Sequence, residues 1–187
     1  MRRRAALAFG FGLITQALAP RAFAAPESAA DQAYREALAK AAGANRALLV
    51  IFHATWCGPC RLMDLFLEDK AAAAILNQRF DYLKLNVEER GANKKLELSG
   101  AADLFKRLSG GARTGIPYFA AVAPGGNILA NSIDPKNGNI GFPVTGSELA
   151  YFRVFLRKTI APTPDQENLL IARAVEAGRV KKAPPKL

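Results

Sequence analysis

The amino-acid sequence predicts an α/β fold in one domain. Strand-like apolar runs alternate with helix-like runs along the chain, as they do when helices cover a sheet. One apolar run, 47–52 (ALLVIF), lacks the polar alternation of a half-exposed strand, which indicates a strand buried on both faces. The only two cysteines follow this run as a C-x-x-C motif, and a helix-like stretch, 61–76, follows the motif. A C-x-x-C between a strand and a helix is typical of a redox pair.

Residues 1–24 are predicted to be a secretory signal peptide. Three arginines at 2–4 precede an apolar stretch at 5–19, and the small-x-small pattern Ala22-Phe23-Ala24 predicts cleavage after Ala24. An uncleaved membrane anchor is the alternative. It has less support, because the apolar stretch is shorter than the about 20 residues that span a membrane. We therefore expect an exported, periplasmic protein, in a compartment where a disulfide persists.

The charge of the chain gives little support for nucleic-acid binding. Removing residues 1–24 removes four arginines and no acids, which lowers the formal net charge from +10 to +6. The remaining basic residues form no dense patch and are not interleaved with aromatic side chains. We expect no nucleic-acid partner.

The first predicted elements of the mature chain lie on either side of Gly43. An alanine-rich helix is predicted at 31–42, with Ser28 as its cap, and Gly43 ends it. The buried strand at 47–52 follows and ends at His53, the only histidine. His53 could tune a neighbouring thiolate or carry protons, and it could equally be a packing residue.

The position of the C-x-x-C motif at the start of a helix gives each cysteine a role. A disulfide that closes and reopens needs α-carbons about 5 to 6 Å apart, which this spacing provides. Cys57 is the predicted nucleophile, because the unpaired amides and the dipole of the helix stabilise its thiolate. Cys60, within the first turn, is the predicted resolving thiol. This chemistry requires that the Cys57 sulfur be accessible from solvent.

Four neighbours are predicted to support the pair. Gly58 leaves the backbone open to an incoming chain, and Pro59 costs the helix nothing because its missing N–H has no intrahelical partner there. Arg61 adds a cation beside the cysteines, and Trp56, the only tryptophan, precedes them.

Two other uses of the cysteines have less support. A zinc site usually has four ligands, and the chain offers two cysteines and one histidine. A purely structural disulfide would stabilise little, because the loop it closes is so short. We expect no metal and no cofactor.

From about Ala47 to about Ile160 the sequence resembles the thioredoxin family. Three stretches carry the resemblance: Trp56-Cys57-Gly58-Pro59-Cys60, Tyr82-Leu83-Lys84-Leu85-Asn86-Val87 and Thr114-Gly115-Ile116-Pro117. The resemblance implies a thioredoxin-like fold, with a central mixed sheet flanked by helices and a Cys57–Cys60 redox disulfide. It also implies that Pro117 is cis, faces the cysteines and leaves the Ile116 backbone free to bind a substrate strand. A proline that merely opens a strand is the alternative.

The residue at one position differs from the family pattern, and the difference affects the chemistry of the second cysteine. The buried aspartate that assists this cysteine in the family falls at Ile51, so Lys84, which matches its usual lysine partner, lacks that acid. Water, His53 or Glu68 could take its place as proton acceptor, and the sequence does not choose among them. We expect exchange near neutral pH to be slower than in a thioredoxin that has the acid.

The rest of the chain continues the alternation of elements. Strands are predicted at 80–87, 118–123 and 128–130, and helices at 71–76, 101–108, 147–158 and 164–177. A Thr145–Glu148 capping box opens the helix at 147–158, and Gly178 ends the helix at 164–177. Two stretches, 88–113 and 131–146, are longer than in a minimal thioredoxin. Residues 88–95 and 131–146 are predicted to be loops, which either face a partner or are incidental.

These observations predict a signal peptide (1–24), a thioredoxin-like domain (25–160) and a region of linker, C-terminal helix and basic tail (161–187). The predicted function is that of an exported, monomeric thiol–disulfide oxidoreductase acting on protein disulfides. By resemblance, the Gly-Pro pair between the cysteines favours reduction or isomerisation. In an oxidising compartment the pair must be re-reduced, and a membrane-embedded thiol carrier is the expected electron donor. The alternative is a binding module or metal chaperone that uses the same cysteines as ligands.

Overall fold

The computed structural model describes residues 27–111 and 114–180. Its main sheet has four strands in the order β2-β1-β3-β4, with β2 parallel to β1 and the other pairs antiparallel. The strands are β1 (Ala47–His53), β2 (Phe80–Asn86), β3 (Tyr118–Val122) and β4 (Ile128–Asn131), and a separate hairpin pairs β5 (Ile133–Asp134) with β6 (Gly138–Asn139). The helices are α1 (Ala29–Gly43), α2 (Gly58–Glu68), α3 (Lys70–Leu76), α4 (Ala101–Leu108), α5 (Gly146–Ile160) and α6 (Pro164–Val180), with a 3-10 helix at Gly91–Leu96.

Helices cover both faces of the mixed sheet, so the predicted α/β class with an added C-terminal helix is confirmed. The predicted signal peptide (1–24) and the basic residues after 180 lie outside the described residues. Among the residues that are described, none of the helices combines the length and apolar character needed to cross a bilayer.

The position of β1 at the centre of the covered sheet explains why its sequence is apolar without alternation. Leu48, Val50 and Phe52 pack with α1 and α4 on one face of the sheet. Leu49 and Ile51 pack on the other face with α2, α3, α5 and α6. Successive side chains of a strand point to opposite faces, and here both faces are covered.

The predicted helix starts are confirmed by their capping hydrogen bonds. Ser28 Oγ accepts from the N–H of Asp31 at the start of α1. Thr145 and Glu148 form a reciprocal capping box at the start of α5. Each satisfies amides that have no intrahelical partner.

Both predicted loops contain more regular structure than the sequence suggested. Part of 88–95 forms the 3-10 helix, and 131–146 contains the β5–β6 hairpin. Ser132, Ile140 and Phe142 of the second stretch are buried, and its two apolar side chains join the core beside α2. These buried residues hold the 131–146 stretch against the domain.

Helix α6 runs past Gly178, which the sequence predicts as its end. A Cβ placed on Gly178 would lie 3.2 Å from Cγ1 of Val144, so the small residue allows a close approach inside the helix. The inner face of the helix is fully part of the core, through Leu170, Ile171, Ala174 and Ala177. These residues share one cluster with Leu62, Met63 and Phe66 of α2.

Shortening the most buried leucine side chain of α6 should therefore destabilise the whole domain. Leu170 is 0% exposed, and we expect Leu170→Ala to lower the free energy of unfolding by about 2 to 5 kcal/mol. Urea unfolding of the oxidised protein measures this. The matched control is Leu65→Ala, at a helix position that is 44% exposed, with an expected change of about 0.5 kcal/mol or less. Equal losses in the two variants would contradict the packing of α6.

Candidate active site

The two cysteines are joined as a disulfide at the start of α2, with their α-carbons 5.2 Å apart. Cys57 is the N-cap of this helix, and its Sγ accepts a hydrogen bond from the N–H of Cys60 at 3.2 Å. A helix N-terminus favours negative charge, and an amide aimed at the sulfur does the same. The geometry therefore stabilises a thiolate on Cys57 when the disulfide is reduced.

The disulfide is almost entirely covered. Cys57 is 3% exposed and Cys60 is 2% exposed, and Ala54 and Ile116 pack against them. This corrects the sequence-based expectation of an open Cys57 sulfur, because in the oxidised state close approach of a partner sulfur requires neighbouring side chains to move.

The loop before β3 faces the cysteines. The Ile116–Pro117 peptide bond is cis, as the resemblance implies. The carbonyl oxygen of Ile116 lies 3.6 Å from Sγ of Cys57. A disulfide sulfur carries no proton, so this contact becomes a hydrogen bond only when Cys57 is a thiol.

The β5–β6 hairpin braces this same loop. Asn139 Nδ2 donates to the carbonyl oxygens of Gly115, at 2.6 Å, and Pro117, at 3.1 Å. These two carbonyls flank Ile116, so one side chain fixes the backbone on both sides of it. Asn139 was not predicted from the sequence, because nothing in a Gly- and Asn-rich stretch marks which side-chain amide faces the site.

The predicted supporting residues lie around the motif as follows. A Cβ at Gly58 would meet no atom within 4 Å, so that face of the turn is open. Pro59 lies in the first turn of α2, where a proline is tolerated. Arg61 is exposed and forms no ion pair within the described part of the chain. Trp56 is also exposed, and its Nε1 donates to the carbonyl oxygen of Glu88 at 2.8 Å.

Lys84 has an acidic partner that the sequence analysis missed. Ile51 is buried opposite Lys84 in the β1–β2 register, and Lys84 Nζ pairs with Asp64 Oδ1 of α2 at 2.5 Å. Asp64 is four residues after Cys60 and therefore on the same side of the helix.

Glu68 is eight residues after Cys60, about 12 Å further along the helix axis, which places it too far away to accept the Cys60 proton.

His53 lies at the end of β1 on the face of the sheet that carries Ile51 and α2. Burial lowers the pKa of His53, and the nearby Lys84 ammonium lowers it further, against the weaker opposing effect of Asp64 and Glu89. The imidazole is therefore neutral at pH 7, the form that can accept a proton. His53 and water remain as candidate acceptors.

A buried carboxylate behind the motif is the third site residue that was not predicted from the sequence. Glu89 is 5% exposed and accepts hydrogen bonds from Thr55 and Asn86. Burial raises the pKa of Glu89, but the hydrogen bonds from Thr55 and Asn86 together outweigh burial and hold this pKa below its ordinary value. The Glu88-Glu89-Arg90 run has the pattern of a solvated loop and gives no signal of this contact.

The described residues do not add a third ligand to the cysteines. Within 27–111 and 114–180 no three side chains of the His, Cys, Asp and Glu types are grouped to hold a metal ion.

Comparison with known proteins gives one family match. A family model described as thioredoxin-like matches residues 29–124, just over half of the chain. No curated protein matches the chain.

Several solved structures are similar to the chain. A disulphide isomerase from Xylella fastidiosa Temecula1 is 22% identical, over 60% of this chain and 80% of that one, with a TM-score of 0.46. A DsbH oxidoreductase is 17% identical, over 80% of this chain and 94% of that one, with a TM-score of 0.46. A thioredoxin from Thermus thermophilus is 22% identical, over 68% of this chain and 87% of that one, with a TM-score of 0.44.

The lowered pKa of His53 gives a testable pH dependence. Because the unfolded histidine takes up its proton first, the stability that neutral His53 contributes is present above about pH 6.5 and is lost as the pH falls through the lowered pKa. We expect the free energy of unfolding to fall less between about pH 8 and about pH 5.5 in His53→Gln than in the unmodified protein. Urea unfolding of both oxidised proteins measures the difference, and parallel pH profiles would contradict it.

Proposed function

The chain belongs to the thioredoxin-like family, and on that premise we propose that it is an exported thiol–disulfide oxidoreductase that reduces or exchanges disulfides of other proteins. The observation that carries the proposal is the Cys57–Cys60 disulfide at the N-terminus of α2, with Cys57 as the helix cap. The loop containing Ile116 and Pro117 faces this pair.

Reduction proceeds in two exchanges. The Cys57 thiolate attacks one sulfur of a substrate disulfide, which forms a Cys57–substrate bond and releases the other substrate sulfur as a thiolate. Cys60 then loses its proton to water or His53 and attacks the Cys57 sulfur. The Cys57–Cys60 disulfide forms, the second substrate thiol leaves, and two electrons have passed to the substrate.

The backbone beside the disulfide is suited to hold an extended substrate. Among the described residues, the Ile116 N–H donates to no acceptor, and Asn139 fixes the carbonyls on either side of it. A substrate strand that pairs with Ile116 would place its disulfide over Cys57. Ile116 and Pro117 are the proposed substrate-binding residues, with Trp56, Gly58, Pro59 and Arg61 around the opening.

Export and direction complete the proposal. Residues 1–24 are the proposed signal peptide, which would deliver the mature protein, a monomer, to the periplasm, and 25–160 is the proposed thioredoxin-like domain. Because that compartment is oxidising, the pair must be re-reduced, and a membrane-embedded thiol carrier is the proposed donor. The Gly-Pro pair between the cysteines favours reduction or isomerisation over oxidation, by resemblance to the family.

Single substitutions of the cysteines test the mechanism. We expect Cys57→Ser to reduce insulin at the uncatalysed rate, because no nucleophile remains. Cys60→Ser retains the first attack and should accumulate a mixed disulfide with the substrate, which mass spectrometry detects. An active Cys57→Ser variant, or the absence of reductase activity in the unmodified protein, would contradict the proposed function.

The missing acid at position 51 gives a second test. Ile51→Asp places a proton acceptor beneath the pair, and we expect faster exchange at neutral pH, by up to about 100-fold. Ile51→Asn is the matched control, because it buries a polar group of similar shape that cannot accept the proton. Stopped-flow exchange rates measure the effect, and equal rates in the two variants would show that proton acceptance does not limit exchange.

A further inference from the structure

Three consecutive residues, 88–90, hold the two residues that precede Cys57. Glu89 binds Thr55, and the Glu88 carbonyl accepts the indole N–H of Trp56. The Arg90 guanidinium lies 3.9 Å from the centre of the Trp56 ring, a distance at which a cation and an aromatic face attract. We call residues 88–90 the anchoring segment.

Glu89 is the centre of the anchoring segment. Its Oε1 accepts from the N–H of Thr55 at 2.8 Å and from Asn86 Nδ2 at 2.6 Å, and its Oε2 accepts from Thr55 Oγ1 at 2.7 Å. Asn93 Nδ2 donates to the same Thr55 hydroxyl at 2.9 Å. A carboxylate this buried is stable only when it is hydrogen-bonded, so Glu89 and Thr55 hold each other in place.

The anchoring segment is itself fixed by its surroundings. Glu88 has a φ of 57°, a left-handed conformation that is uncommon for a residue with a Cβ and that persists only where neighbouring contacts impose it. The N–H of Glu89 donates to Glu97 Oε1 at 2.7 Å, and Glu97 pairs with Lys94 of the 3-10 helix. The stretch that the sequence predicts to be a loop is therefore a rigid support.

We propose that Glu89 is a positioning residue for the redox turn: it fixes Thr55 and, through the anchoring segment, Trp56, and so keeps the Cys57 sulfur covered. This inference rests on the proposed function, since it concerns how easily a partner disulfide reaches Cys57. The effect reaches the cysteine over a short stretch of chain, because only Trp56 separates the anchored Thr55 from Cys57. Loss of the Glu89 carboxylate frees this turn and opens the sulfur to solvent.

Two measurements on Glu89→Ala test the proposal. Trp56 is the only tryptophan, so acrylamide quenching of its fluorescence reports directly on the anchoring segment. We expect the quenching constant to rise about twofold or more. The reduced variant should also react about threefold or more faster with iodoacetamide at Cys57, because the sulfur is less covered.

The matched control is Glu88→Ala. It removes a neighbouring negative charge but keeps the main-chain carbonyl that binds Trp56, so we expect quenching and alkylation to match the unmodified protein. If Glu89→Ala does not fold, Thr55→Val decides, since it removes the hydroxyl that binds Glu89 and should raise both values.

A folded Glu89→Ala, or failing that Thr55→Val, that matches Glu88→Ala in either measurement would overturn the proposal. Neither measurement requires reductase activity. An inactive unmodified protein in the insulin assay would therefore overturn the proposed function alone, while unchanged Trp56 quenching would overturn the role of Glu89 alone.

Discussion

The hydrogen bond from the Cys60 amide to the Cys57 sulfur is the contact on which the site depends. It exists because three residues separate the end of β1 from Cys57 and α2 starts immediately after Cys57, so the sulfur takes the place of an ordinary capping oxygen. Burial of β1 on both faces fixes where the strand ends. The core thus determines the position of the reactive atom through a single short turn.

The surroundings of the sulfur combine stabilisation of an anion with restriction of access. The helix start favours the thiolate, while Ile116 and Ala54 leave the cysteines almost no exposed surface. Residues from three distant parts of the chain meet here: the 88–97 stretch behind Thr55, the cis-proline loop, and the hairpin that supplies Asn139. The 88–97 stretch supports the redox turn, and the 131–146 stretch supplies Asn139, which supports the cis-proline loop.

The parts of the fold that the sequence predicts well are those set by neighbouring residues. The buried run before the motif, the capping box of α5 and the cysteine pair each depend on residues within a few positions of one another. The contacts that were missed join residues far apart in sequence: Lys84 with Asp64, Thr55 with Glu89, and Asn139 with Gly115. Glu89 and Asn139 belong to polar runs that are typical of solvated surface, and only the tertiary fold shows that they contact Thr55 and the cis-proline loop.

Helix α6 lies against the helix that carries the cysteines, since its buried face shares one core cluster with Leu62, Met63 and Phe66 of α2. The residues that complete this packing, Leu170 to Ala177, are synthesised more than 100 positions after Cys60. A nascent chain contains the motif long before it contains these residues, and packing against α2 finishes only after they have emerged from the ribosome or, if the chain is exported unfolded, from the translocation channel. Until then the two thiols belong to an incompletely buried helix, open to whatever oxidants and thiols surround the emerging chain.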